Sequence, residues 1–74
     1  MASRRVGRAG PLRWQVTALA KMQEDWDAGS RTDATFLVSV HDEIVLEAPE
    51  SSAADVARWL HDKMQAAFEE VLGL

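Results

Sequence analysis

This 74-residue sequence predicts an α+β fold in the order helix, two-stranded antiparallel hairpin, helix. Two helical patterns and one hairpin pattern predict it. Residues 12–28 and 53–71 each repeat apolar side chains at helical spacing. Between them, the β-branched runs 35–40 and 44–48 flank a short polar segment, a pattern typical of a β-hairpin. Because 47% of the residues are hydrophobic, we expect a folded chain that forms at most one small domain.

The chain is predicted to divide into a flexible basic leader, residues 1–11, and one α-β-β-α unit, residues 12–74. Four of the eight Lys and Arg residues fall within the first 13 positions, among glycines, which is more typical of a disordered start. A basic tail of this kind can also contact phosphates, so both interpretations stay open. The net charge of −4 does not favour a free-standing nucleic-acid binder.

The first helix is predicted over residues 12–28. Pro11 suits the first turn of a helix, and Gly29 suits the position just after its end. Val16 and Leu19 belong to its apolar stripe.

The hairpin is predicted to join its strands through a three-residue loop, His41-Asp42-Glu43, and Pro49 is predicted to end its second strand. A loop with an even number of residues would place two carboxylates on the apolar face, so the odd loop is favoured. The predicted apolar face consists of Phe36, Val38, Val40, Ile44, Leu46 and Ala48, and the mixed face of Leu37, Ser39, Val45 and Glu47.

The second helix carries the clearest periodic signal in the chain, over residues 53–71. Ser51 or Ser52 is predicted to cap its start, and Ser52 with Asp55 forms a capping-box pattern. Gly73 is predicted to end it.

Trp59, His61 and Asp62 lie off the apolar stripe of this helix. Trp59 is predicted to be half exposed, in an interface. His61-Asp62 repeats the His-Asp pair of the hairpin, so a second metal site is one interpretation. A polar helix surface is favoured, because neighbouring residues point to different sides of a helix.

The hairpin carries a family resemblance. Val40-His41-Asp42-Glu43, followed by Ile-Val-Leu-Glu-Ala-Pro, resembles the third conserved motif of family A DNA polymerases, the class of bacterial DNA polymerase I and many phage replicases. The likeness covers residues 17–72 and is strongest over 36–64. In that family the hairpin lies in the palm and is followed by a helix of this kind.

The resemblance implies roles for three residues. Asp42 matches the palm carboxylate that binds catalytic Mg²⁺, and Glu43 matches the adjacent acid that supports the same metal site. His41 matches the residue close to the primer end of the DNA. Without the resemblance, charged residues at a hairpin tip are interpreted as solvated turn residues. Gln15 is the nearest match to a family glutamine that contacts the DNA minor groove, but the spacing differs and no role is assigned to it.

A family A polymerase also needs a second palm aspartate and a fingers helix, for which 74 residues leave no room. The isolated chain is therefore predicted to lack polymerase activity, with Mg²⁺ and DNA binding weak or absent. The leading interpretation is a fragment of a DNA-directed DNA polymerase that carries only the metal-binding hairpin. The alternatives are a small dimeric binding or regulatory module on a palm scaffold without catalysis, and a subunit that completes a polymerase supplied by another chain.

A homodimer is predicted, because a two-stranded sheet leaves both edges open. The predicted contact is a strand edge, or Leu37, Val45 and the nearby Trp residues. The chain has no Cys and no apolar run long enough for a membrane span, and its basic N-terminus lacks the apolar region of a signal peptide. We therefore expect a cytoplasmic protein with no membrane contact.

Overall fold

The computed structural model describes residues 2–40 and 43–73 as two helices packed against one face of a three-stranded antiparallel sheet. The predicted α+β class is confirmed. A single 3₁₀ turn, Glu50–Ser52, leads into the second helix. In chain order the elements are β1 (Ser3–Ala9), α1 (Leu12–Ala28), β2 (Thr35–Val40), β3 (Glu43–Pro49) and α2 (Ala53–Leu72).

Strand β1 is the main departure from the sequence prediction. Residues Ser3–Ala9, expected to belong to a flexible leader, pair along their whole length with β3, from Ser3 opposite Pro49 to Ala9 opposite Glu43. The strand order is β1-β3-β2, so the hairpin is part of a three-stranded sheet. Pairing with β1 satisfies backbone groups of β3 that the two-stranded arrangement would leave without partners. It also buries Val6, which is only 7% exposed.

The hairpin register differs from the predicted one. Val40 pairs with Glu43, so Glu43 is a strand residue and not the third residue of a loop. A bulge at Leu37, between the pairs Phe36–Leu46 and Val38–Val45, then shifts the register by one residue.

The bulge changes which β2 residues face the helices. Ile44 and Leu46 are fully buried and Ala48 nearly so, as predicted. Ser39 pairs with Ile44 and therefore lies on the helix-facing side, although the pattern placed it on the mixed side. Phe36 keeps 40% of its surface exposed at the edge of the sheet.

The helix boundaries follow the predicted signals. Helix α1 begins after Pro11 and ends at Gly29, whose φ of 74° is the left-handed conformation that glycine adopts readily. Helix α2 ends in the same way at Gly73. Ser52, in contrast, makes no side-chain cap bond, because the 3₁₀ turn holds it near helical dihedrals and not in the extended conformation of a capping residue. Neither described helix is long and apolar enough to cross a lipid bilayer.

The core lies between the sheet and the helices, with α2 over β1 and α1 beside α2. Trp59 belongs to this core at 9% exposure, so the prediction of a half-exposed side chain is wrong. Its ring packs edge-on against Trp26, with ring centroids 5.5 Å apart. The buried apolar residues are Val6, Ala18, Met22, Ala34, Ile44, Leu46, Ala48, Ala53, Val56, Trp59, Leu60, Met64 and Ala67.

Candidate functional site

Both strands of the predicted metal-binding hairpin are described, one up to Val40 and the other from Glu43. His41 and Asp42 lie outside the described residues. Glu43, the third member of the motif, opens strand β3. It sits in the middle of the sheet, opposite Ala9 of β1 and Val40 of β2. The position of this carboxylate therefore depends on both neighbouring strands.

Glu43 lies on the face of the sheet that points away from the helices, because Ile44, the next residue, is buried beneath them. Its carboxylate reaches diagonally across β1 to Gly7. A Cβ atom placed on Gly7 would lie 2.7 Å from Glu43 Oε2, so the missing side chain leaves the space that the carboxylate occupies. The Glu43 side chain is half-buried in this position.

The charges on this outer face are not uniform. Glu47 shares the face with Glu43, and it lies directly opposite Arg5 of β1. The residue opposite Glu43 is Ala9, which carries no charge. The Glu43 carboxylate therefore has no basic residue directly opposite it, and it leans along β1 toward Gly7, away from the hairpin tip. Within residues 2–40 and 43–73, no three His, Asp or Glu side chains come together as a metal-binding group.

His61 and Asp62 are exposed on α2. His61 lies beside a shallow groove of about 180 Å³ that is walled by Trp14, Met64 and Phe68. Asp62 lies beside a different depression, next to Arg31. The two side chains thus face different surroundings, in line with the interpretation of a polar helix surface.

Gln15 has a structural role that the sequence did not reveal. Its side chain is fully buried, although it is polar. The amide donates a hydrogen bond to the Gly10 carbonyl at 2.9 Å and accepts one from the Ser39 hydroxyl. This one side chain therefore ties the β1–α1 connection to strand β2. The only signal in the sequence is a polar residue within an apolar stripe.

A second polar cluster joins the end of α1 to the middle of α2. Asp25 Oδ2 accepts hydrogen bonds from Trp59 Nε1 at 2.6 Å and from Lys63 Nζ at 2.9 Å. The Trp59 bond, followed by the Lys63 bond, holds the pKa of Asp25 below its ordinary value of 3.8. Sequence reasoning missed the cluster because its members lie more than 30 residues apart along the chain.

Arg31 extends this cluster into the connection between α1 and β2. Its guanidinium bonds Asp33 at 3.0 Å and Asp55 at 2.9 Å, and it lies over the Trp59 ring, 5.1 Å from the centroid. The Arg31 bond is the largest influence that lowers the pKa of Asp33. The arrangement fixes the connection between α1 and β2 against α2. We interpret the two ion pairs of Arg31 as structural, because they join the start of β2 to the start of α2, at the end of the hairpin opposite its tip.

Comparison of the chain with protein-family models, with curated proteins and with solved structures found no match.

Proposed function

We propose that this chain is a palm fragment of a family A DNA polymerase that keeps the metal-binding hairpin and has no polymerase activity alone. The observation that supports the proposal most is the position of Glu43. It is the first residue of a central strand, on the face away from the helices. The half-buried carboxylate keeps part of its surface exposed on this face, where a metal ion and the phosphates that such an ion would bring could reach it.

The chemistry of the donor set also supports the proposal. Asp42 and Glu43 supply carboxylate oxygens, which are the hard ligands that Mg²⁺ prefers. Strands on both sides of β3 hold Glu43 on a stiff support, as a site for positioned phosphates requires. Asp42 would hold the metal ion, with Glu43 beside it and His41 facing the end of a DNA strand.

The same chemistry explains why we propose no activity for the chain alone. A bound Mg²⁺ would neutralise charge on phosphate oxygens, but phosphoryl transfer also needs groups that position both substrates. Two adjacent carboxylates hold Mg²⁺ weakly, because this ion gives up its water ligands reluctantly. The proposal includes weak contact with DNA and a cytoplasmic location, where DNA and nucleotides are found.

The proposal is tested by a Mn²⁺ titration of the whole chain, followed through the electron paramagnetic resonance signal of free Mn²⁺. We expect binding in the millimolar range, weakened about tenfold or more by Asp42→Asn and by Glu43→Gln, since each removes a charged oxygen ligand. Glu24→Gln is the matched control, because Glu24 is an exposed carboxylate on α1. Equal binding by all four proteins would contradict the proposal.

A second candidate function is a small dimeric binding module that keeps the palm scaffold without its chemistry. It is favoured by an edge strand, β2, that carries no charged residue. The Mn²⁺ titration separates the two candidate functions. If the wild-type chain leaves the free Mn²⁺ signal unchanged at millimolar Mn²⁺, the result favours the binding module and contradicts a fragment with a retained metal site.

A further inference from the structure

The backbone of Gly7 does not require a glycine. Gly7 pairs with Val45 inside strand β1, and its φ is not positive. A residue with a side chain therefore fits this backbone, and in the interior of a strand it would be more favourable than glycine. What the glycine contributes here is free space on the outer face of the sheet.

The Glu43 side chain fills this space. A Cβ atom on Gly7 would lie 2.7 Å from Glu43 Oε2 and 3.2 Å from the carboxyl carbon of Glu43, both closer than an ordinary contact. The nearest backbone atom, the carbonyl oxygen of Ile44, would lie at an acceptable 3.6 Å. The obstacle to a side chain on Gly7 is thus the flexible end of Glu43, which can rotate to another staggered position without moving the strands.

In this position the Glu43 carboxylate is directed away from the proposed metal site. Gly7 lies opposite Val45, which is two residues beyond Glu43 along β3. Asp42, in contrast, precedes Glu43 in the chain. The direction toward Gly7 also brings the carboxylate nearer to Arg5, two residues further along the same face of β1, and the opposite charges attract. A metal ion shared by Asp42 and Glu43 needs this carboxylate on the side of the tip.

We propose that Gly7 is a positioning residue: it gives Glu43 a resting position away from the metal site, and ion binding requires the carboxylate to leave it. This inference rests on the proposed function, because it concerns the same metal site. Only the fraction of molecules in which Glu43 is directed at the tip binds the ion with both carboxylates. The observed affinity is reduced by that fraction, so Gly7 lowers the metal affinity of the hairpin.

The test is Gly7→Ala, which places one methyl group in the resting position and should keep the strand pairing. In the Mn²⁺ titration we expect the dissociation constant of Gly7→Ala to be about threefold or more below that of the wild type. Closing one of the three staggered positions of the Glu43 side chain raises the population of the other two. Far-ultraviolet circular dichroism checks that the variant folds.

The matched control is the same substitution in a Glu43→Ala background. There the side chain that the methyl group would displace is missing, so Gly7→Ala should leave the Mn²⁺ dissociation constant unchanged. Tightening of equal size in both backgrounds overturns the inference, since the methyl group would then act on the strand and not through Glu43.

The resting position itself is measured by NMR on the metal-free wild type, which needs no variant. We expect three-bond couplings that report one dominant χ1 position of Glu43, with nuclear Overhauser effects between its side-chain protons and the Gly7 α-protons. A Glu43 side chain that averages over its rotamers without contact to Gly7 overturns the inference.

The failure of this inference is distinguishable from the failure of the proposed function. Mn²⁺ binding that depends on Asp42 and Glu43 but is not tightened by Gly7→Ala overturns the inference alone. If neither the wild type nor Gly7→Ala binds Mn²⁺, the proposed function fails, and the inference fails with it.

Discussion

At the residue scale, two polar side chains determine how the elements of this protein join. Gln15 and Asp25 both lie on α1, and each bonds a residue at least 24 positions away along the chain. Apolar core positions such as Ile44 and Leu60 follow from periodicity, because burial repeats with the period of the element. The partners of a buried polar group do not follow from periodicity, since they depend on how distant segments meet.

Asp25→Asn is expected to reduce stability in a pH-dependent way. The pKa of Asp25 in the folded protein lies below the ordinary 3.8, so ionised Asp25 stabilises the fold above that pH. This contribution is lost as the pH falls through 3.8 and through the lower pKa of the folded state. At neutral pH we expect a loss of about 1 kcal/mol, modest because the side chain is partly open to solvent.

Urea unfolding at neutral pH and near pH 3 measures this difference. The gap in free energy of unfolding between wild type and Asp25→Asn should shrink at the lower pH. Glu24→Gln, which changes the charge of the neighbouring exposed residue, is the control. A gap that stays constant with pH would mean that the Asp25 charge does not stabilise the fold.

Gln15→Ala is expected to destabilise the fold by about 2–3 kcal/mol, because it leaves a cavity and removes two hydrogen bonds. Ser39→Ala removes one of these bonds at an exposed site and should cost about 0.5–1 kcal/mol. Thermal unfolding of the two single variants and the double variant forms a double-mutant cycle. Fully additive losses would show that Gln15 and Ser39 are not coupled.

At the scale of the elements, local signals predicted the helices well and the sheet only in part. Pro11, Gly29 and Gly73 act through their own backbone preferences, so the ends of α1 and α2 were predictable. The β1 strand was not, because its Arg and Gly residues have little β-propensity of their own. Its formation depends on an open edge of β3, which only the assembled fold provides. The bulge at Leu37 is likewise a product of pairing.

Val6→Ala is expected to lower the free energy of unfolding by about 1–2 kcal/mol, because Val6 is buried opposite Leu46. Arg5→Ala is the control, since Arg5 is the exposed neighbour on the same strand. If residues 3–9 were a flexible leader, neither substitution would change stability. Chemical denaturation of both variants therefore distinguishes a strand from a leader.

At the scale of the whole molecule, a small core is assembled from one face of a sheet and two helices. The α+β class was predictable because helical and strand periodicities alternate clearly along the chain. The candidate site was predictable only as a motif, since the way Glu43 lies across Gly7 requires β1 beside β3.

The proposed metal-binding hairpin is tested most directly by a residue-resolved map of Mn²⁺ broadening in the NMR spectrum of the whole chain. If the hairpin binds the ion, the amide signals of Asp42 and Glu43 should broaden first. Those of Ala9 and Val40 should follow, because both residues pair with Glu43. Broadening centred on the acidic residues of α2, or spread evenly over the surface, would contradict a metal-binding hairpin.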